Sequence, residues 1–389
     1  MIKKLSFTHG GLIALSLFAL GLFFLWDPLA DADEQIEALA GLPGSGMLAA
    51  KSDGIVASGV DPHNNLYVFW KEKGTHSIYY NYYNGTNWSQ AIPVMDYSGN
   101  PIVTNYGMEV VFTVDVGGRP TVCLFYKPTW DHESGGLIDF TCSPVEYDAQ
   151  LKPVFTFEPT REFVKMSGVV GMVQATPAAK DSPTIYFAWS EPNSATSSSL
   201  RAFTCKLVQG FRLDCEDYIT PHNNMRGDRT ALALVNGTPY IFYADTYNAE
   251  VTNYIYYFPT TTETSTRLEN NSGNPRKTIK QIETLQVSDL VYVAFANPEL
   301  TSGAGHAIQF ASAPINDLKT ANENNYYGNK KWTYCKLQTE LDGSPLAYSK
   351  QPPTLVEYND GVYLFYTGSN NDDTIMYLRI DTLEGNGVC

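Results

Sequence analysis

The amino-acid sequence predicts an all-β protein, a single six-bladed β-propeller of four-stranded antiparallel blades. Three observations predict this fold. Apolar and polar residues alternate with a period of two along most of the chain, and no amphipathic helix longer than about three turns follows residue 45. A five-residue pattern also recurs six times. Its successive copies lie 52 to 71 residues apart, close to the length of one four-stranded blade with its loops.

The recurring pattern reads apolar, tyrosine, apolar, phenylalanine or alanine, aromatic. Cys123 replaces the tyrosine in one copy. Such a run of β-branched and aromatic residues is typical of a buried strand. We assign it to the second strand of each blade. The six copies are Leu66–Trp70, Val122–Tyr126, Ile185–Trp189, Pro239–Tyr243, Val291–Phe295 and Val362–Tyr366.

The segments around each copy supply the rest of a blade. An apolar strand and a tight turn rich in Gly, Asn, Asp and Pro precede each copy, as in a β-hairpin. A longer polar loop, a third strand and, in most copies, a less regular fourth strand follow it. The 71-residue interval before the last copy could contain a seventh blade. However, NYYGNKKW at 325–332 resembles NYYNGTNW at 81–88, which assigns the extra length to blade five.

The amino terminus has the features of a secretory signal. Two lysines precede an apolar run that ends at Trp26, and an A-x-A type cleavage site ends at Ala32. An uncleaved signal anchor is the alternative, because the run approaches the length that spans a bilayer. We expect a secreted protein without membrane contact after cleavage. The predicted organisation is a signal peptide over 1–32, a linker over 33–50 and the propeller over 51–389.

Cysteine usage and charge fit an extracellular protein. An even number of cysteines predicts disulfides, and none of their spacings is the paired CxxC of a zinc site. We expect pairs within blade two, within blade three and between the last two blades. In that order they are Cys123 with Cys142, Cys205 with Cys215, and Cys335 with Cys389. Other pairings remain open.

The net charge of −15 argues against a nucleic-acid partner, which needs clustered lysine and arginine. Four N-x-S/T sequons are compatible with a glycoprotein. Their asparagines are Asn84, Asn87, Asn236 and Asn270.

The loops between second and third strands are long and unlike one another, whereas the turns between first and second strands are short. Variable loops on a rigid scaffold usually carry recognition. Aromatic rings beside carboxylates and amides suit sugars, which stack on rings and hydrogen-bond to polar groups. The candidate ligand-binding residues are Trp130, Asp131, His132, Glu133, Glu191, Asp245, Tyr247, Asn248, Glu299 and Asp372.

Catalysis is the alternative to binding. Glycoside cleavage needs two carboxylates facing each other, and the starts of the inner strands offer two acids, Asp53 and Glu109. The other four starts read Met172, Arg229, Gln281 and Gln351. We expect no cofactor and no metal, although the loop at 369–373 has oxygen ligands that could hold Ca²⁺.

The stretch from Leu66 through NYYNGTNW resembles the blade of the fungal fucose-specific lectins, which are six-bladed propellers. The resemblance extends in outline to all six repeats. It implies a lectin-like architecture, but the strand-two arginine that binds fucose in that family is here replaced, for example by Tyr67 and Tyr186. The fucose chemistry is therefore not implied.

The sequence thus favours a non-catalytic propeller that binds glycans or glycoproteins. The alternatives are a propeller glycoside hydrolase, with Asp53 and Glu109 as the carboxylates, and a protein-interaction propeller without a sugar site.

Overall fold

A computed structural model defines the fold. It describes residues 42, 44–129, 137–165, 170–194, 197–216, 219–225, 227–245, 253–262, 265–270, 276–278, 282–302, 305–319, 329–337, 347–369 and 373–381. The predicted signal peptide lies outside these residues. Among the helices within them, none is long and apolar enough to cross a membrane.

Six antiparallel blades follow one another along the chain, each built from an inner strand outward. The first strand, β1 (Ser45–Lys51), belongs to the last blade. Blade one contains β2 (Ala57–Val60), β3 (Leu66–Lys71), β4 (Ile78–Tyr83) and β5 (Ile92–Pro93). Blade two contains β6 (Met108–Val114), β7 (Pro120–Tyr126), β8 (Leu137–Pro144), the small hairpin β9 (Glu146–Tyr147) and β10 (Pro153–Val154), and the outer strand β11 (Arg161–Lys165).

The next two blades each have two short segments at the outer edge. Blade three contains β12 (Val170–Pro177), β13 (Thr184–Ser194) and β14 (Ser197–Val208), and β14 pairs with both β15 (Arg212–Cys215) and β16 (Ile219–Met225). Blade four contains β17 (Gly227–Val235), β18 (Thr238–Asp245) and β19 (Asn253–Pro259), and β19 pairs with both β20 (Thr266–Asn270) and β21 (Lys277–Thr278).

The last two blades complete the ring. Blade five contains β22 (Glu283–Val287), β23 (Leu290–Ser302), β24 (Gly305–Pro314), the helix α1 (Ile315–Lys319), β25 (Asn329–Lys336) and β26 (Tyr348–Ser349). Blade six contains β27 (Thr354–Tyr358), β28 (Gly361–Thr367) and β29 (Thr374–Arg379), with β1 as its fourth strand.

This architecture confirms the predicted all-β, six-bladed propeller. Each copy of the recurring pattern falls on the second strand of its blade, as predicted. The segment that contains NYYGNKKW ends in β25, the outer strand of blade five, so the long interval before the last copy belongs to that blade and not to a seventh.

Strand β1 closes the ring by pairing antiparallel with β29, so that Ser45 lies opposite Leu378 and Gly46 opposite Tyr377. The expected linker over 33–50 is therefore wrong for its last residues, which form a propeller strand. A side chain at Gly46 would collide with the Tyr377 ring, because an added Cβ would lie 2.3 Å from its hydroxyl oxygen. The close approach of the two strands thus requires glycine at this position.

The core consists of six apolar clusters, one between each pair of neighbouring blades. Successive side chains of a second strand point to opposite faces of the sheet. In β3, Tyr67 and Phe69 therefore pack towards blade two, whereas Val68 and Trp70 pack towards blade six. All four are fully buried. The aromatic residues of the recurring pattern hold the blades together.

Two disulfides join neighbouring strands at the predicted positions. Cys123 bonds Cys142 within blade two, and Cys205 bonds Cys215 within blade three. Cys335 is also disulfide-bonded, and its predicted partner, Cys389, lies outside the described residues. Three sequon asparagines, Asn84, Asn87 and Asn236, are exposed in turns, and Asn270 ends β20.

Candidate active site

The six inner strands surround a central channel that contains a cavity of about 390 Å³. In every blade, one inner-strand residue pairs with the fourth residue of the recurring pattern, so six equivalent positions encircle the channel. Starting from blade one, they are Ala57, Glu109, Gln174, Ala231, Glu283 and Thr354. Two of the six are carboxylic acids.

Glu109 and Glu283 belong to blades two and five, which lie opposite each other in a ring of six. Glu109 is the second residue of β6 and Glu283 is the first of β22. Both therefore lie near the end of the channel at which the inner strands begin. Both line the cavity and retain partial exposure to it.

The electrostatics of the channel keep protons on this pair. Burial raises the pKa of Glu109 to about 8, because a low-dielectric environment disfavours the carboxylate. Burial also raises the pKa of Glu283 well above its ordinary value, and the negative charge of Glu109 raises it further. The two groups thus interact, and we expect them to release their protons one after the other.

Hydrogen bonds distinguish the two acids. The side-chain Nε2 of Gln174 donates to Oε2 of Glu109 at 3.4 Å. The backbone N–H of Ala175 also hydrogen-bonds to the Glu109 carboxyl and lowers its pKa, opposing the effect of burial. Donated hydrogen bonds favour the ionised form. Glu109 is therefore the member that ionises first, and Glu283 is the member that keeps its proton.

The pair predicts a pH-dependent stability. An unfolded glutamate releases its proton near pH 4, whereas folded Glu109 holds its proton up to pH about 8. Its stabilising contribution is therefore complete below pH 4 and is lost as the pH rises through 8. We expect the wild type to lose about 2–4 kcal/mol of unfolding free energy between pH 5 and pH 9 relative to the Glu109→Gln/Glu283→Gln variant, at about 1.4 kcal/mol per pKa unit.

Urea denaturation of both proteins at pH 5, 7 and 9 measures this difference. Glu146→Gln is the matched control, since the Glu146 side chain is 58% exposed on the surface. Its difference from the wild type should change little with pH. A flat difference between the wild type and the double variant across this pH range would contradict the assigned pKa directions.

The same end of the channel carries a set of lysines. Lys71 Nζ lies 2.7 Å from Asp53 Oδ1. Lys73 and Lys350 both contact Asp373, at 3.0 and 2.7 Å. Burial raises the pKa of Asp373, but hydrogen bonds from these two lysines lower it, and the net result is a pKa below the ordinary value. This carboxylate, one of the oxygen donors in the loop considered for Ca²⁺, is thus already engaged by ammonium groups.

Asp53, which the alternative catalytic pair combined with Glu109, contacts Lys71 and Gln351. The side chain of Asp53 forms an ion pair with Lys71, and its backbone oxygen accepts a hydrogen bond from Gln351 Nε2 at 2.9 Å. Asp53 does not line the channel cavity. The acid that interacts with Glu109 is instead Glu283 of the opposite blade.

Most of the predicted ligand-binding residues lie outside the described part of the chain, namely Trp130, Asp131, His132, Glu133, Tyr247, Asn248 and Asp372. Glu191 lies in β13 and Asp245 ends β18. Glu299, in β23, is exposed and forms an ion pair with Lys277, whose Nζ lies 3.3 Å from Oε1 of Glu299. In the described ranges, no group of three or more His, Cys, Asp or Glu side chains could hold a metal ion.

Sequence reasoning missed Glu283 and Gln174 because it placed the inner-strand starts at Gln281 and Met172, two residues too early. The register of each hairpin between the first and second strands would have identified both residues. In blade five, Val287 pairs with Leu290 across a two-residue turn, so counting back from Ala294 gives Glu283. The same count from Ala188 in blade three gives Gln174.

Comparison with known proteins bears on the fold. No family model and no curated protein matches this sequence. Among solved structures, the chain is similar to the α-L-arabinofuranosidase of Fusarium graminearum in complex with an iminosugar inhibitor. The TM-score is 0.55 and the sequence identity is 11%, and the alignment covers 88% of this chain and 99% of that one.

Two sialidases are also similar. For the sialidase of Trypanosoma rangeli in complex with sialic acid, the TM-score is 0.52 and the identity 9%, over 89% of this chain and 60% of that one. For a Hadza microbial sialidase the TM-score is 0.52 and the identity 13%, over 85% and 66% of the respective chains. This chain thus spans about 60% of the length of the trypanosome protein. At such low identity, these similarities establish the propeller fold and nothing finer.

Proposed function

We propose that this protein is a glycoside hydrolase whose two catalytic carboxyl groups are those of Glu283 and Glu109. One observation carries the proposal: two half-buried acids from opposite blades line the channel cavity and interact, with pKa values raised in both. Glycoside cleavage requires one protonated and one ionised carboxyl group on either side of the bond. Two interacting acids with different hydrogen bonding can supply both forms at one pH.

The hydrogen bonds assign a role to each acid. Glu283, which keeps its proton, acts as the general acid and protonates the glycosidic oxygen as the bond breaks. Glu109, whose ionised form is favoured by Ala175 and Gln174, acts as the carboxylate that attacks the sugar or activates a water. Activity then requires the singly protonated pair, so it should rise as the pH rises through about 8, where Glu109 loses its proton, and fall at higher pH, where Glu283 loses the last one.

Several lines support hydrolysis over binding alone. The similar structures with this fold include an α-L-arabinofuranosidase and two sialidases. The arabinofuranosidase has also been solved in complex with arabinobiose. A pair of interacting acids in the channel has no role in a purely structural propeller and destabilises the fold at alkaline pH. The loops with Trp130 and Tyr247 would bind the remainder of the glycan, and the chain would act outside the cell after signal cleavage.

A substrate screen tests the proposal. Wild-type protein and the Glu109→Gln/Glu283→Gln variant would be incubated with aryl glycosides of common pentoses, hexoses, hexuronic acids and sialic acid, and with natural oligosaccharides. We expect the wild type to release sugar from at least one class and the double variant to release none. A glycan array is run in parallel. Binding on the array without hydrolysis of any bound glycan would support the lectin hypothesis and contradict ours.

A further inference from the structure

One tyrosine of the recurring pattern differs from the others. Four of the five tyrosines at the second position of the pattern are no more than 5% exposed, namely Tyr67, Tyr240, Tyr292 and Tyr363. Tyr186, the equivalent residue of blade three, is half-buried, and its hydroxyl has no hydrogen-bond partner among the described residues. The interface that this ring faces, between blades three and four, is therefore less completely filled than those of the other four tyrosines.

Small side chains explain the difference. The second and fourth residues of the pattern face the next blade, and the fourth is phenylalanine in blades one, two, four and six. In blade three it is Ala188, which belongs with Ala202 and Leu232 to the smallest of the six apolar clusters of described residues. Ala294 of blade five occupies the same position, but its cluster contains twice as many buried apolar residues. Only at blade three does the alanine coincide with a half-buried tyrosine.

A cavity of about 150 Å³, which we call the interface cavity, occupies this space. Its apolar wall includes the side chains of Leu232 and Pro239, and Tyr186 borders it. Tyr186 and Pro239 lie near the starts of β13 and β18, next to the turns that follow the inner strands. The interface cavity is therefore at the opposite end of the blades from the channel mouth, where the inner strands begin and Glu109 and Glu283 lie.

Four polar side chains also line the interface cavity, and none has a partner among the described residues. They are the hydroxyls of Tyr186, Thr204 and Thr260 and the carboxylate of Glu216. The backbone N–H of Glu216 donates to the carbonyl oxygen of Thr204 at 2.9 Å, which fixes the acid beside the cavity. An apolar concave surface with a few polar groups at its edge is the usual form of a small-molecule site.

Among the described residues that line the interface cavity, only Glu216 carries a charge. The charged residues nearest to it in sequence, on β14, β15 and the turn before β13, do not line the cavity, and none forms an ion pair with Glu216. They are Lys180, Asp181, Lys206, Arg212 and Asp214. A ligand without a donor would displace water from the carboxylate and leave it unpaired, which costs free energy. An ammonium group instead supplies charge-assisted hydrogen bonds.

We propose that the interface cavity binds a small ring compound that carries an ammonium group. The ring fills the space that Ala188 and Ala202 leave, since an apolar cavity of about this volume is large enough to bind benzene. The ammonium group lies at the exposed edge, where Glu216 accepts its hydrogen bonds. This inference concerns a second site and does not depend on the proposed hydrolase activity.

Binding is measured by ligand-detected NMR titration of the full chain at pH 7. Three probes share a phenyl ring and differ in charge: phenylethylamine is positive, phenylethanol is neutral and phenylacetate is negative. A neutral methyl glucoside is the fourth probe. Concentrations extend to about 10 mM, because ligands of this size bind weakly. We expect the amine to bind about three- to tenfold more tightly than the alcohol, and phenylacetate to bind more weakly than either.

Glu216→Gln should abolish the preference for the amine and leave the affinity for the alcohol unchanged. Glu216 is exposed, so this variant should fold like the wild type. Tyr186→Ala should weaken binding of both probes by about three- to tenfold, because it removes the ring that borders the cavity. Glu162→Gln is the matched control, since Glu162 is an exposed glutamate of β11 outside the cavity. It should bind all probes as the wild type does.

The Glu109→Gln/Glu283→Gln variant tests where the amine binds. It should bind phenylethylamine like the wild type, because the channel acids lie at the other end of the blades. Loss of amine binding in this variant, with none in Glu216→Gln, would place the amine in the channel and overturn the proposal. Equal binding of the three phenyl probes would also overturn it, as would binding of the glucoside without binding of the amine.

Discussion

Replacing Glu283 by glutamine is expected to lower kcat on a natural glycoside by about 10²–10⁴-fold, the usual contribution of a general acid. The same change should have little effect on a 2,4-dinitrophenyl glycoside, because its phenolate leaves without protonation. Replacing Glu109 by glutamine should lower kcat on both substrates, because the carboxylate acts on the sugar and not on the leaving group. Steady-state rates on the substrate class found in the screen, with poor and good leaving groups, measure this contrast.

Glu357→Gln provides the matched control. Glu357 lines the same cavity, and burial raises its pKa, but it is the fourth residue of β27, next to the turn at the opposite end of the channel. We expect it to retain wild-type rates on both substrates. If Glu357→Gln lost as much activity as Glu283→Gln, the chemistry would not lie at the mouth. If the two mouth variants responded identically to the leaving group, the roles assigned from the Ala175 and Gln174 hydrogen bonds would be wrong.

The sequence predicted the fold because the residues that hold it together are local and repeated. Tyr67, Phe69 and their counterparts pack blade against blade, so the core itself carries the period. The disulfide pairs were predictable for the same reason. Once the strands were assigned, Cys205 and Cys215 had to lie on neighbours, and the register places them directly opposite each other.

The site was only half predictable. Glu109 was found because it lies at the start of the inner strand of blade two. Its partner depends on the register of another hairpin, since a displacement of two residues exchanges Gln281 for Glu283. The interaction between Glu109 and Glu283 joins residues 174 positions apart and leaves no local pattern. The ring-closing strand was missed for a similar reason, because SGMLAAK alternates only weakly and its partner β29 lies at the other end of the chain.

Leu48→Ala is expected to lower the unfolding free energy by about 2–5 kcal/mol, the range for deleting a buried leucine side chain. Leu48 is 3% exposed and belongs to the apolar cluster between blades six and one, together with Val68 and Trp70. Met47 is the matched control on the same strand, because its side chain points to the other face and is 47% exposed. Met47→Ala should change stability by no more than about 0.5 kcal/mol. Urea denaturation at pH 6 measures both.

Starting the chain at Ser52 should have a larger effect than either substitution, because it removes the whole fourth strand of blade six. The hydrogen bond from the Arg379 N–H to the Gly44 oxygen is lost, as are those that join Leu42 to Tyr83 and Tyr363. Strand β29 then becomes an unpaired edge, which promotes association between chains. We expect the shortened protein to unfold at markedly lower urea or to aggregate. An unchanged unfolding midpoint of the shortened protein would contradict ring closure by β1. Equal losses of stability from Leu48→Ala and Met47→Ala would contradict it as well, because a strand that closes the ring buries Leu48 between the first and last blades and leaves Met47 exposed.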